Sequence, residues 1–190
     1  MGLAAQRAID RVDPVAYLTD MAKLPIIRIP DPVLRQVSAP IERVDDELRQ
    51  LVENMFETMY AAPGVGLAAV QVNVPRRLLV IDAAEEGEER RPLAMINPEI
   101  LSFGDEKRLY EEGCLSIPDV HVEIERPSSL HVRYLDIEGR AQELSAQGLL
   151  ATVIQHEIDH LEGRLIIDFL SRLKRDIIVR KFKKQAKSAA

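Results

Sequence analysis

The chain has 190 residues, of which 46% are hydrophobic and 29% charged, and its formal net charge is −6. This length favours a single domain, and the acidic balance together with the absence of Trp disfavours a general nucleic-acid-binding role, specific DNA recognition included. The one cysteine, Cys114, excludes an internal disulfide and fits a reducing compartment. No apolar run is long enough for a membrane span, and the first twenty residues lack the apolar centre of a secretory signal, so we expect a cytoplasmic protein.

The N-terminal third of the chain contains one clear helix. Residues 1–20 have weak periodicity, and we expect them to form an extension without stable order, with a short ordered helix as the alternative. From Asp45 to Ala61, apolar residues recur at intervals of three and four, which predicts an amphipathic helix capped by Asp45 or Asp46. Pro63 and Gly64 follow it and end the helix.

The middle of the chain is a series of short strands. They are predicted at residues 77–83, 93–96, 107–112, 129–135 and 141–144, and Asn97-Pro98 is expected to close the second of them. A buried helix from Leu149 to Gly163 and a final helix over 171–187 complete the pattern. Together these elements predict an α+β fold, with short, mostly antiparallel sheets around a central buried helix and a C-terminal helix. We expect a catalytic domain over 21–170 and a basic helix or tail over 171–190.

The predicted buried helix carries the motif H-E-x-x-H at His156, Glu157 and His160. Residues four apart on a helix lie one turn above each other, roughly 5–6 Å apart at Cβ, so the two imidazoles can bind one metal ion. Glu157 lies about 100° around the helix, where its carboxylate can act on a water molecule without being a ligand. This pattern is typical of metal-dependent hydrolases. The alternative is a buried helix that uses its histidines for packing and hydrogen bonding.

A catalytic metal site usually has three protein ligands and an open position. Downstream of the motif, position 166 is Ile and residues 180–184 include no acid, so the third ligand is expected upstream. Cys114, between Gly113 and a nearby Pro118, is the best candidate. A lone cysteine is otherwise a small core residue, so the case for Cys114 depends on its combination with the helix motif and with the glycine-rich stretch at residues 64–71.

Three segments closely resemble motifs of the peptide deformylases. They are G-x-G-x-A-A-x-Q at residues 64–71, E-G-C-L-S at 112–116 and Q-H-E-x-D-H at 155–160. They occur in the order found in that family, and the resemblance covers about residues 24 to 170. It implies a metal-dependent hydrolase of bacterial type, which removes the N-formyl group from the N-terminal methionine of newly synthesised polypeptides and releases formate.

The resemblance also implies roles for individual residues. Cys114, His156 and His160 would bind one divalent metal ion, with Fe²⁺ expected in the cell and Zn²⁺, Ni²⁺ or Co²⁺ as substitutes. Glu157 would act as general base and acid, taking the proton of the water and giving it to the leaving amine. Gln71 and the backbone N–H of Leu115 would stabilise the negative charge on the carbonyl oxygen. The alternative for Gln71 is a polar residue that satisfies buried backbone groups.

The substrates implied by the resemblance are N-formyl-methionyl nascent peptides. Small residues in 64–71 would let the peptide backbone approach and pair as an added strand, although close packing of a strand on a helix explains them equally well. Leu115, a predicted oxyanion residue, is also a plausible wall of the methionine pocket. The predicted substrate-binding residues are Val65, Gly66, Gly113, Leu149 and Val153. His121 stands where some bacterial relatives carry Arg, so a substrate contact there would be weaker or absent.

The final predicted helix is strongly basic, with Asp176 as its one acid. Leu170, Leu173, Ile177 and Phe182 are predicted to form its packing stripe. The basic residues indicate either a solvated face or docking to the ribosome. For the whole chain, the alternatives to a deformylase are an H-E-x-x-H metalloprotease and a non-catalytic peptide- or ribosome-binding descendant of the same fold.

Overall fold

The structure, a computed structural model, describes residues 23–84 and 87–189, so the predicted extension at residues 1–20 lies outside the described residues. The helices are α1 (Asp46–Ala61), α2 (Gly148–Leu161) and α3 (Arg172–Ala189), with 3-10 turns at Pro32–Arg35, Ala69–Val72 and Ile166–Phe169. The strands are β1 (Gly66–Ala68), β2 (Leu78–Ile81), β3 (Leu93–Phe103), β4 (Lys107–Gly113), β5 (His121–Pro127), β6 (Ser129–Leu135) and β7 (Ala141–Gln147). The predicted α+β class is confirmed. No helix in the described ranges is long and apolar enough to cross a membrane.

Two sheets organise the fold. One has five antiparallel strands in the order β1-β2-β3-β6-β7, and the other is the β4-β5 hairpin. Helix α1 covers one face of the larger sheet through Val52, Met55 and Met59, and its first turn is capped by Asp45, whose carboxylate accepts the N–H of Leu48 at 3.0 Å. Helix α2 covers the opposite face and also contacts the hairpin. The sheet therefore lies between two helices, and β1 and β7 are its edge strands.

Helix α2 is buried along almost its whole length, as the apolar run before the H-E-x-x-H motif predicts. The helix ends before Gly163, which has a φ of 70°, a conformation that glycine adopts without strain. A Cβ atom at this position would lie 2.6 Å from the carbonyl oxygen of Arg35. The turn that ends the helix therefore requires glycine for both its backbone conformation and its close packing.

The prediction that Asn97-Pro98 closes a strand was wrong, because β3 continues to Phe103. The pairing of β3 with β6 shifts between Ile96 and Glu99, and Asn97 takes a φ of 50° at the irregularity. The Asn97 amide donates to the Ile41 carbonyl at 2.7 Å and accepts the Ile41 N–H at 2.8 Å. A bulge therefore accommodates the proline, which has no N–H for the ladder, without ending the strand.

The predicted packing stripe of the C-terminal helix was wrong at two positions. Leu173 and Ile177 are 72% and 58% exposed, whereas Phe182 is buried and Ile178 and Val179 pack partly against the core. The apolar residues of this helix are spread around it, so sequence spacing alone does not define which face the rest of the protein covers.

Candidate active site

Three potential metal ligands converge where the loop after β4 meets α2. The Sγ atom of Cys114 and ring nitrogens of His156 and His160 all lie within 4.8 Å of one another. Sγ is 3.2 Å from His160 Nε2, and the two imidazole centroids are 5.1 Å apart. One helix turn thus places the two histidines together, and the tertiary fold adds the cysteine. A thiolate with two neutral imidazoles is a donor set that suits Fe²⁺, Zn²⁺, Co²⁺ or Ni²⁺, so the residues present fit a metal ion.

A buried charge network supports these candidates, and no pattern in the sequence predicted it. Glu112 accepts the Nδ1–H of His156 at 2.8 Å, which leaves the other ring nitrogen of His156 facing Cys114 and His160. Arg126, on β5, donates to both oxygens of Glu112 at 2.5 and 3.0 Å and to Asp159 at 2.8 Å. The guanidinium therefore joins the hairpin that leads to the cysteine with the helix that carries the histidines.

The pKa values of the site differ from those of exposed groups. Burial raises the pKa of the Glu157 carboxyl from 4.5 to about 7, against the lowering influence of His156. Burial lowers the pKa of His160 well below its usual value, which keeps its imidazole neutral and able to act as a ligand. For His156, burial alone would lower the pKa, but hydrogen bonds to Cys114 and Glu112 outweigh it and raise the pKa.

Glu157 and Gln71 lie beside the cluster of Cys114, His156 and His160. Glu157 is buried, and its Oε2 atom has no hydrogen-bond partner among the residues that the structure describes. Gln71, in the turn after β1, brings its Nε2 atom to 3.8 Å from Cys114 Sγ. Leu115 follows the cysteine directly, and its N–H makes no hydrogen bond within the described part of the chain. The carboxylate of Glu157 and two neutral N–H donors, from Gln71 and Leu115, therefore lie beside the three potential metal ligands.

A cleft of about 390 Å³ opens onto Glu157 and Cys114. Its walls include Gln71, Leu115 and His121, together with all five predicted substrate-binding residues, Val65, Gly66, Gly113, Leu149 and Val153. Val65 and Leu149 are 43% and 41% exposed, which is high for apolar side chains beside a buried centre. The cleft therefore joins an apolar entrance to the polar cluster at its base.

Comparisons with known proteins agree with this geometry. The sequence profile of the family described as "Polypeptide deformylase" matches residues 23–176. The chain belongs to the peptide deformylase family. It is similar to the peptide deformylase of Rhizobium meliloti (strain 1021), with 57% identity over 164 residues that cover 86% of this chain and 94% of the relative. The predicted family is thereby confirmed.

Two solved structures of peptide deformylases resemble this one. The crystal structure of the protein from Ehrlichia chaffeensis has a TM-score of 0.83 and 42% identity, and the match covers 88% of this chain and 99% of that chain. A class I type b peptide deformylase from Acinetobacter baumannii, crystallised with Met-Ala-Ser bound, has a TM-score of 0.74 and 36% identity over 78% of this chain and 98% of that chain. The fold of this chain is therefore that of solved peptide deformylases, which are metal-dependent enzymes.

Gly66 is predicted to be essential in this deformylase because of its contact with Glu157. A Cβ atom at position 66 would overlap Glu157 Oε1 and lie 2.8 Å from Val153 Cγ1. Gly66→Ala should therefore displace the carboxylate and lower kcat by about 10²-fold, the loss that follows a displacement of roughly 1 Å. Steady-state kinetics would measure this. Gly113→Ala, whose new Cβ would meet the His121 ring at 3.3 Å, should lose less activity, and equal losses in the two variants would contradict the explanation.

Proposed function

We propose that Cys114, His156 and His160 hold the catalytic divalent metal ion, and that Glu157, Gln71 and Leu115 carry out the chemistry around it. As a peptide deformylase, the enzyme removes the N-formyl group from the N-terminal methionine of newly synthesised peptides, with formate as the second product. The observation that carries the residue assignment is the convergence of three ligand atoms beside a buried carboxylate with a free oxygen at the base of a cleft.

The divalent metal ion that Cys114, His156 and His160 would hold would supply Lewis-acid chemistry, polarising the formyl carbonyl and making a water molecule more acidic. Glu157 takes a proton from the attacking water, whose oxygen forms a bond to the formyl carbon, and delivers that proton to the amide nitrogen as the C–N bond breaks, so that formate and the free amine are released. Its raised pKa, about 7, suits both transfers near neutral pH, because the carboxylate can accept the proton and then release it. Gln71 Nε2 and the Leu115 N–H donate to the carbonyl oxygen as negative charge grows there.

The edge of β1 supports a role in aligning the peptide. The N–H of Asp82 bonds to the Val65 carbonyl, so in the antiparallel ladder the N–H and C=O of Gly66 point to the free edge. An extended peptide can pair there as an added strand, with Gly113 across the cleft. Val65, Leu115, Leu149 and Val153 would surround the methionine side chain. The Met-Ala-Ser peptide in the Acinetobacter structure is of the kind that this reaction releases.

Formyl-Met-Ala-Ser is therefore a suitable first substrate. Anaerobically purified enzyme supplied with Fe²⁺ should release formate and Met-Ala-Ser, and it should leave an internal peptide with blocked ends uncleaved. Mass spectrometry with a formate assay distinguishes the alternatives. Cleavage inside the blocked peptide would favour a metalloprotease, and binding without formate release would favour a non-catalytic binding protein.

We further propose Fe²⁺ as the native metal ion, because a thiolate with two imidazoles accepts it and the resemblance favours it. An Fe²⁺ form of the enzyme should be sensitive to oxygen, because the Cys114 thiolate would be bound to a redox-active metal ion. Loss of activity in air for the Fe²⁺ form, but not for a Ni²⁺ form, would support this. A cytoplasmic location is proposed from the substrate class, and the division into a catalytic domain at 21–170 and a tail at 171–190 stays a prediction.

The basic helix α3 is proposed to contact the ribosome. Its cations are Arg172, Lys174, Arg175, Arg180, Lys181, Lys183, Lys184 and Lys187. Most of this helix is exposed, and Asp176 is its one acid, so it presents a positive surface that suits phosphate groups. Cosedimentation with ribosomes that weakens steeply with salt would support the proposal, and association independent of salt would contradict it.

A further inference from the structure

The side chain of Gln71 is held at both ends. Its Oε1 atom accepts the backbone N–H of Ala68 at 2.8 Å, and its Nε2 atom donates to the Ser116 hydroxyl at 3.1 Å. Gln71 is 2% exposed and Ser116 is fully buried. A backbone N–H can only donate, so the oxygen end of the amide must face Ala68. The nitrogen end must then face Ser116 and Cys114.

The amide nitrogen carries two protons, and the hydroxyl of Ser116 accepts one of them. The other proton points towards Cys114 and the cleft. The distance of 3.8 Å from Gln71 Nε2 to Cys114 Sγ is too long for a strong hydrogen bond, so this proton can still be donated to a substrate. An oxyanion donor is effective when its proton is already aimed before negative charge develops. The bond to Ser116 therefore fixes the direction of the second Nε2 proton, which is the one that Gln71 presents to the substrate.

One extended segment holds the backbones of both residues in place. The N–H of Ile27 donates to the Gln71 carbonyl at 2.7 Å, and the N–H of Ile29 donates to the Ser116 carbonyl at 3.1 Å. These two bonds come from residues two apart on the same segment. They do not involve the Ser116 hydroxyl, so removal of the hydroxyl leaves the backbone attachments intact.

We infer that Ser116 is a positioning residue for deformylation, which acts through Gln71 by orienting its amide towards the carbonyl oxygen of the substrate. The inference rests on the proposed role of Gln71 as an oxyanion donor. Ser116 lies beneath Gln71 and contributes no atom to the walls of the cleft, so its effect on substrate binding should be small. The loss of Ser116 should lower the rate of the chemical step, because the substrate carbonyl oxygen needs the Gln71 donor most when it carries negative charge.

The test is a double-mutant cycle on the metal-loaded enzyme with Ser116→Ala, Gln71→Ala and both together. Ser116→Ala should lower kcat about tenfold with KM nearly unchanged, as expected for the loss of one neutral hydrogen bond. Gln71→Ala should lower kcat by about 10²–10³-fold, the typical loss of an oxyanion donor. The double variant should be no slower than Gln71→Ala alone, because Ser116 has nothing left to orient.

Ser38→Ala is the matched control. Ser38 is also a buried serine, but its hydroxyl has no partner among the described residues, so its removal breaks no hydrogen bond and should leave kcat unchanged. Two readouts besides activity accompany the cycle. Bound metal should stay at the wild-type ratio, and the side-chain amide proton resonances of Gln71 in the Zn²⁺ form should shift in Ser116→Ala towards those of a glutamine without this hydrogen bond. Ser116→Cys keeps the volume with a weak acceptor and should show the same changes if the alanine variant does not fold.

The possible outcomes distinguish a failure of the inference about Ser116 from a failure of the proposed role of Gln71. Unchanged kcat in Gln71→Ala would overturn the proposed role of Gln71 and the inference with it. A slow Gln71→Ala beside a fully active Ser116→Ala would overturn the inference alone, as would independent, multiplicative losses in the double variant. Loss of metal from Ser116→Ala would also overturn it, because Ser116 would then act through Cys114.

Discussion

Glu157→Gln should reduce kcat by about 10²–10⁴-fold while the protein keeps its metal ion, because the amide cannot take or return the proton that the proposed mechanism requires. The side chain is not one of the three ligand candidates, so the metal-to-protein ratio should match that of the wild type. Formate release and metal analysis on the same preparation test both statements. Glu162→Gln, which removes an exposed carboxylate just beyond the same helix, should remain active. Full activity of Glu157→Gln would contradict the mechanism.

The same substitution should stabilise the metal-free protein at neutral pH. The Glu157 pKa is about 7 in the folded protein and 4.5 without burial, so between these values the unfolded chain releases a proton that the folded chain keeps. The stability contributed by this carboxyl is complete below pH 4.5 and is lost as the pH rises through 7. With 1.36 kcal/mol for each pKa unit, the loss is about 3 kcal/mol. A glutamine has no such dependence.

Urea denaturation of the two metal-free proteins across this pH range measures the effect. The free energy of unfolding of Glu157→Gln minus that of the wild type should rise by about 3 kcal/mol from pH 4.5 to 7 and then level off. Titrating groups away from the site are common to both proteins and cancel in the difference. A flat difference would show that Glu157 is ionised throughout, and burial of the Glu157 carboxylate would then carry no such stability cost.

The features predicted well from the sequence are those in which neighbours along the chain determine structure. Helix α2 was predicted because its apolar run continues through the spacing of His156 and His160, and one helical turn is enough to bring those side chains together. The cap of α1 at Asp45 is equally local. Cys114 became a candidate only in combination with the helix motif and by elimination of downstream ligands.

The features that were missed depend on pairing across the chain. Strand β5 alternates between exposed and buried residues from His121 to Arg126, a signal that could have predicted it. The charged Arg126 occupies one of the inward positions, and an inward arginine is recognisable only when its partners are known. Those partners, Glu112 and Asp159, lie 14 and 33 residues away, and the hairpin register is needed to bring them together.

Arg126→Met should cost about 3–5 kcal/mol of stability, because it leaves the buried Glu112 carboxylate without a cation, whereas Asp159 keeps its ion pair with Arg164 at 2.6 Å. The Glu112 and Asp159 side chains are 5% and 8% exposed, so water cannot replace the lost contacts. The metal ion should also be held 10–100-fold more weakly, because Glu112 no longer holds the His156 ring in a fixed orientation. Denaturant unfolding and competition with a chelator measure the two effects. Arg133→Met, at a half-exposed arginine paired with Glu143, is the control and should change neither quantity appreciably.

Two further variants separate charge from geometry at this position. Arg126→Lys keeps the positive charge but cannot donate to both oxygens of Glu112 while reaching Asp159, so it should recover only part of the stability. Combining Arg126→Met with Glu112→Gln and Asp159→Asn removes the buried charges together and should recover stability relative to Arg126→Met alone. Metal affinity should stay low in the triple variant, because a neutral amide is a weaker acceptor for the His156 N–H than a carboxylate. Recovery of both properties together would show that Arg126 serves stability only, and that the orientation of His156 does not depend on the ionised Glu112.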